Sequence, residues 1–304
     1  MQIQLPELMK HRASLQGEVG QLWLREVDSL VSKIIESWRL KVVKQLSGGT
    51  EALVFLCETT EGDAVLKLGI PGSLDREIRT LRLAEGQGYA ALLNFDADLD
   101  AILIERLGDQ LAEASMRVDE KIETLCNTLK VAWRRIDPEN GLMSGAEKAG
   151  AQADYIETQW TQLNRPCSPE IIDRALEYAA NRKEAFDPAD SYLIHGDAHI
   201  WNTLHAEGSP TNYKFVDPDG LYAERAIDLA ISLREWRDEI LDGDALENGR
   251  RRCELLSKLT YIPIEAIWQW GFIEHVSCGL LDLNLRDAVA AQKHFDIAKC
   301  WVHS

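Results

Sequence analysis

The sequence predicts an α+β fold in which a small strand-rich lobe precedes a larger, mostly helical one. Three observations predict it. Between Trp38 and Gly108 the apolar residues fall in short runs bounded by turn residues. Beyond Gly108 they recur at helical spacing. Inside that helical half, short apolar strands flank the polar run His195-Gly196-Asp197-Ala198-His199-Ile200-Trp201-Asn202 and lead to Phe215-Val216-Asp217-Pro218-Asp219-Gly220.

The chain opens with one or two amphipathic helices over Pro6 to Trp38, where Leu8, Leu15, Val19, Leu22, Leu24, Val27, Leu30, Ile34 and Ile35 stand among charged residues. This segment is expected on the outside of the first lobe. Strands follow at Leu40–Val43, Ala52–Cys57 and Ala64–Leu68, with Glu61-Gly62-Asp63 as a turn. Ser47, Gly48, Gly49 and Thr50 suit a loop whose backbone amides approach phosphate oxygens, although a plain hairpin loop would read the same and the run is not G-x-G-x-x-G. Lys67 lies between Leu66 and Leu68 and so points away from them. Alone it reads as a solvated lysine, but the helix-like stretch Asp75–Leu83 follows, with Glu77 as candidate partner and Asp75 as competitor. Leu92–Asp96 and Ala101–Gly108 form the last strand pair. The period then changes, placing the boundary between residues 1–107 and 108–304.

The second part is expected to hold helices at Asp119–Ile136, Ala151–Leu163 and Pro169–Phe186, with loops at Pro138, Gly141, Gly145 and Arg165-Pro166. Strands at Tyr192–Ile194, Thr203–Leu204 and Tyr213–Val216 then bring Asp197, Asn202 and Asp217 toward one end of a small hairpin. A helix begins near Glu224 and carries Asp228. Of the nine tryptophans, Trp201 is the candidate for ligand stacking, and Trp133, Trp268 and Trp270 read as core.

The chemistry concentrates in the polar run. Asp197 is placed to accept a proton from an attacking hydroxyl, and Asn202 and Asp217 offer the oxygen ligands that Mg²⁺ prefers when it bridges nucleotide phosphates. A lone His-Gly-Asp is more often a turn, because Gly takes positive φ and Asp bonds nearby backbone. A zinc site built from His195, Asp197, His199 and His205 is a competing reading, but it leaves Asn202 without a role.

The pattern H-G-D-x-H-x-x-N followed by a strand ending in Asp resembles the aminoglycoside phosphotransferase family, whose members have a two-lobed protein-kinase-like fold. The likeness is strongest from about Tyr192 to Trp236. The resemblance implies that Asp197 is the catalytic base and that Asn202 and Asp217 are Mg²⁺ ligands. His195 would brace the loop, Asp228 would anchor its backbone, and Asp219 would bind metal or substrate or cap a turn. In the first lobe it implies that Lys67, oriented by Glu77, meets the α- and β-phosphates of ATP or GTP under the loop Ser47–Thr50. Backbone groups from Glu105 to Leu107 would meet the adenine. The implied activity is phosphoryl transfer to a hydroxyl of a small molecule. Within the family the chain most resembles the aminoglycoside and hydroxyurea resistance kinases, so a streptomycin-type aminoglycoside is the acceptor to expect. A kinase of an amino alcohol, sugar or macrolide, or an idle nucleotide-binding member of the fold, is the alternative.

Composition bounds these readings. The 304 residues are 45% hydrophobic, enough for a sizeable core. The net charge of −17 argues against a nucleic-acid partner and suits a cationic acceptor, to which the acidic run Asp238–Glu247 would contribute. The six cysteines form no C-x-x-C pair and are expected as buried thiols. Neither a signal peptide nor a membrane span is evident, so a cytoplasmic monomer or homodimer is expected.

Overall fold

Gly20, Trp23, Val27, Val31 and Ile34, three or four residues apart, make one stripe of a helix. In a computed structural model that describes residues 3–46 and 51–304, that stripe is buried. The helices α1 (Glu7–Leu15) and α2 (Glu18–Ser37) precede β1 (Lys41–Leu46), β2 (Ala52–Thr59), β3 (Gly62–Gly69), α3 (Asp75–Ala84), β4 (Leu92–Asp96) and β5 (Ala101–Glu105). The five strands form one antiparallel sheet in the order β1-β2-β3-β5-β4. Met9, Trp23, Val27 and Ile34 share a core with Leu53, Phe55, Leu66, Leu68 and Leu103. The opening helices are therefore not an outer layer on a finished lobe; they cover one face of its sheet. Each fully buried Leu, Ile or Phe contributes about 1.5–3 kcal/mol, so this face anchors the unit.

The second part runs through α4 (Val118–Ala132), β6 (Met143–Ser144), α5 (Gly145–Gln162), α6 (Pro169–Glu184), β7 (Tyr192–Ile194), β8 (Thr203–His205), β9 (Tyr213–Phe215), β10 (Leu221–Ala223) and α7 (Ala226–Arg234). It ends with α8 (Arg237–Leu241), α9 (Ala245–Thr260), α10 (Ile264–Asn284) and α11 (Ala288–Trp301). Helix α10 is buried on nearly all sides, as an apolar run such as Trp268–Ile273 requires, and packs on α5, α6, α7, α9 and α11. Met1–Gly108 and Asp109–Ser304 are separate compact units. The fold is thus a small antiparallel-sheet unit followed by a helical one.

The expected small hairpin is formed by β8 and β9, while β7 pairs with β10 in a three-stranded sheet and Leu204 of β8 also bridges Gln110. Two local expectations need correction. Helix α5 starts at Gly145, not Ala151, because Ser144 and Glu147 close a reciprocal capping box six residues earlier. Helix α4 ends at Ala132, where Trp133 turns extended. Among the cysteines, all free, Cys57, Cys126 and Cys253 are buried but Cys300 is exposed. Among the described residues no helix is long and apolar enough to cross a membrane.

Candidate active site

In the first unit, the alternation that buries Leu66 and Leu68 turns Lys67 to the opposite face of β3. There its Nζ donates to Glu77 Oε1 of α3 at 2.7 Å, both residues being less than 10% exposed. Asp75, one turn-half earlier, is exposed. A buried ion pair loses much of its Coulomb gain to desolvation, so this pair is weak as a stabiliser and better suited to aiming an ammonium. Glu105 is engaged within the unit: its N–H donates to the Ala91 carbonyl at 3.0 Å and its carboxylate accepts from Ala91 N at 2.7 Å. Leu107 is partly buried. Ser47, Gly48, Gly49 and Thr50 lie outside the described residues.

In the second unit, His195 leaves β7 fully buried, with Phe215 edge-on to its ring at 5.0 Å. Its Nδ1 accepts from Asp197 N at 3.1 Å, so the proton sits on Nε2, which donates to the Val216 carbonyl at 3.0 Å. Val216 N donates to the Asn202 carbonyl, and Gly220 N donates to the His195 carbonyl. These bonds clamp segment 195–202 to segment 215–220 and bring Asp197, Asn202, Asp217 and Asp219 into one neighbourhood. Gly196 is demanded by this closeness: its φ is +85°, and an added Cβ would stand 2.9 Å from Asp219 Cβ. Asp217 also holds a left-handed φ of +59°, a conformation that Asp tolerates better than most residues.

Asp228 on α7 is fully buried beneath the loop. Its Oδ1 accepts from Gly196 N at 2.7 Å, and its Oδ2 accepts from His195 N at 3.0 Å and Trp133 Nε1 at 2.8 Å. Burial raises its pKa, against the opposing pull of the His195 ring and of these three donors.

The Asp197 carboxylate is held from two sides. His199 Nδ1 accepts from the backbone N–H of Trp201 and Asn202, each at 3.2 Å, so its proton is on Nε2, which faces Asp197 Oδ2 at 3.2 Å. The Arg234 guanidinium, at the end of α7, donates to Asp197 Oδ1 and, at 2.9 Å, to Glu274 Oε2. Burial pushes the Asp197 carboxyl up, but the His199 hydrogen bond and the Arg234 charge outweigh it and hold the group well below the usual carboxylate range. Arg234 loses stability as an ion through burial, yet neighbouring Cys278, Glu274 and Asp197 raise its pKa well above the ordinary value. Two donors on a carboxylate with four lone-pair sites leave it able to receive a hydroxyl. Asp197 opens on a cleft of about 400 Å³ walled by Gln152, Tyr155, Asp219, Arg234 and Glu274.

Asn202 donates its side-chain N–H to the Asp197 carbonyl at 3.2 Å, leaving Oδ1 as its ligand atom. With the Asp217 carboxylate this makes an oxygen-only donor set, which fits a hard cation such as Mg²⁺. It does not fit zinc. His195 and His199 have both ring nitrogens engaged, and His205 packs its ring against Tyr213. Among the described residues no group of three or more His, Cys, Asp and Glu side chains gathers to hold a metal.

The acidic run Asp238–Glu247 is used structurally and does not wall the cleft. Asp238 pairs with Lys293, Glu239 with Arg252, and Asp244 caps α9. Trp133 is more than core, since it donates to Asp228. Trp201 is 53% exposed. Sequence reasoning missed Arg234 and Glu274. Arg234 closes the mostly apolar run that begins at Ala226, and Glu274 interrupts the mostly apolar run Trp270–Leu280; a charge in such a run was the available signal.

The chain is similar to known phosphotransferases. A model of the phosphotransferase enzyme family (APH) matches residues 42–262. A streptomycin 6-kinase of Streptomyces glaucescens is 27% identical over 286 residues, covering 93% of this chain and 92% of the relative. A hydroxyurea phosphotransferase of Kitasatospora aureofaciens is 27% identical, covering 84% and 78%. Among solved structures, a thermostable mutant of aminoglycoside phosphotransferase APH(4)-Ia, in ternary complex with ADP and hygromycin B, superposes with a TM-score of 0.59 at 15% identity, covering 88% and 97%. Choline kinase LicA from Streptococcus pneumoniae gives 0.61 at 14%, covering 92% and 99%. The structural likenesses carry the kinase-like fold, and the family match spans both units; the chain belongs to the phosphotransferase enzyme family and is a small-molecule phosphotransferase.

Proposed function

We propose that this protein transfers the γ-phosphate of ATP, or of GTP, to a hydroxyl of a cationic, sugar-like molecule, with a streptomycin-type aminoglycoside the first acceptor to test. The observation that carries the reading is the Asp197 carboxylate, fixed by His199 and Arg234 at the mouth of the cleft beside Asn202 and Asp217. Asp197 takes the acceptor's hydroxyl proton as that oxygen bonds to phosphorus, and the nucleoside diphosphate leaves with the electrons of the broken P–O bond. Asn202 and Asp217 would hold Mg²⁺, which when bound neutralises phosphate oxygens. Residues 1–107 would serve the nucleotide, through the Lys67 ammonium and the backbone between Glu105 and Leu107, and residues 108–304 would supply the base and acceptor site. Asp219 would meet the acceptor, since it walls the same cleft.

The choice of acceptor is supported by the two streptomycin 6-kinase relatives, at 27% and 28% identity, and by the Asp219 carboxylate in the cleft wall. Nucleotide consumption with Mg²⁺ is to be measured against amino sugars, hydroxyurea, amino alcohols, macrolides and neutral sugars. Turnover with a streptomycin-type acceptor, weakening as salt screens charge over roughly 10 Å at 0.1 M, is expected. Turnover on neutral sugars alone would overturn the acceptor and leave phosphoryl transfer standing. Nucleotide binding without turnover on any acceptor would favour the idle member of the fold.

A further inference from the structure

We propose that Arg234 is a positioning residue for this reaction, holding the Asp197 carboxylate in the rotamer that faces the cleft through a relay that ends on the cleft wall. The inference rests on Asp197 being the base. Four side chains from four elements form the relay. Gln152 Nε2 of α5 donates to Glu274 Oε1 of α10 at 3.1 Å. Glu274 Oε2 accepts from Arg234 Nη1 at 2.9 Å, and Arg234 Nη2 donates to Asp197 Oδ1. A guanidinium is suited to this task because its N–H groups diverge in a rigid plane, so that fixing one side by Glu274 fixes the direction of the other. The relay lies deep: Glu274 is 4% exposed and the Arg234 side chain 18%. At neutral pH the Cys278 thiol, which burial pushes up to about 12, is protonated and adds no competing charge; it acts on Arg234 as an anion only at far higher pH.

The other donor to Asp197 cannot substitute. His199 is oriented by its own loop, through the N–H groups of Trp201 and Asn202, and moves with Asp197 if the loop shifts. Arg234 instead ties the base to α7 and α10, which are packed on each other. Asp197 therefore takes its direction from the helical core and not from the loop that carries it. A misplacement of about 1 Å at a reacting group costs on the order of 100-fold in rate.

The test separates position from stability. Arg234→Ala alone strands the buried Glu274 charge and is expected to fold poorly, so the informative variant is Arg234→Met with Glu274→Gln, which removes both charges together. The expected result is a thermal midpoint near that of the wild type, an unchanged KM for nucleotide and kcat reduced by about 100-fold. Guanidinium ion at low millimolar concentration added to Arg234→Ala should restore part of kcat, which loss of packing alone would not permit. A double variant with wild-type stability and kcat would overturn the proposal. A wild-type enzyme inactive on every acceptor would instead count against the functional reading. In that case a crystal structure of the double variant decides the inference: an Asp197 carboxylate within about 0.5 Å of its present place overturns it, and a rotated one supports it.

Discussion

Replacing Asp228 by Asn should unlock the catalytic loop with almost no change of shape. The Asp228 carboxylate accepts three hydrogen bonds, from Gly196 N at 2.7 Å, His195 N at 3.0 Å and Trp133 Nε1 at 2.8 Å. An amide has one acceptor oxygen. If it serves Gly196, the new NH₂ faces the two donors that Oδ2 now satisfies, and if it is flipped it faces Gly196. One or two buried donors are therefore stranded, each costing about 1–3 kcal/mol, so about 1–6 kcal/mol is expected. Urea unfolding followed by tryptophan fluorescence gives the stability. Hydrogen exchange at the His195 and Gly196 amides reports the loop directly. Both amides should lose protection, with kcat falling because Asp197 follows within two residues. A stability within 0.5 kcal/mol of wild type, roughly the range of an ordinary surface substitution, together with unchanged amide protection would refute the argument.

Other expectations follow from the same geometry. Asp197→Asn should reduce phosphoryl transfer by at least about 100-fold, because an amide accepts no proton, while nucleotide titration stays as in wild type; undiminished turnover would remove Asp197 from the mechanism. Lys67→Ala leaves Glu77, 4% exposed, without its ammonium, and should cost about 3–5 kcal/mol. Lys67→Met with Glu77→Leu should recover stability but not nucleotide affinity, and recovery of both in calorimetry would make the pair purely structural. The last concerns pH. His294 Nε2 accepts from Arg237, and its Nδ1 meets His275 Nδ1 at 2.8 Å, while His275 Nε2 donates to the Leu233 carbonyl. Burial holds both rings neutral, with pKa values well below the ordinary one, and the nearby Arg237 and Arg234 charges add to this. The unfolded chain thus binds more protons below about pH 6.5, and stability should fall as pH drops through that value, by up to about 1.4 kcal/mol per pH unit for each ring. A urea midpoint that stays level from pH 7.5 to 5 would contradict the neutral pair.

The sequence by itself determined the class of fold and the family. Periodicity separates a half whose strands alternate from a half whose apolar residues recur every three or four, because side-chain direction is a local property of the backbone. The loop motif is legible for a related reason: a carboxylate, an amide and a following aspartate keep a fixed spacing because short segments carry them. Asp219 could not be placed by that spacing, since a residue two positions beyond a motif faces either way until the chain is folded.

Tertiary structure decided everything that depends on distant segments meeting. It paired Lys67 with Glu77 and left Asp75 in solvent, because helix α3 presents only one side to the sheet. It chose Leu221–Ala223 as the partner of Tyr192–Ile194, since three-residue strands carry too little pattern to choose one from sequence. It assigned the acidic run Asp238–Glu247 to capping and ion pairs and built the cleft wall from Asp219 and Glu274. It also brought Arg234 to Asp197 across 37 residues of sequence. An arginine at the end of an apolar helix shows that something buried must balance its charge, but which carboxylate does so is settled only by how α7, α10 and the loop pack together.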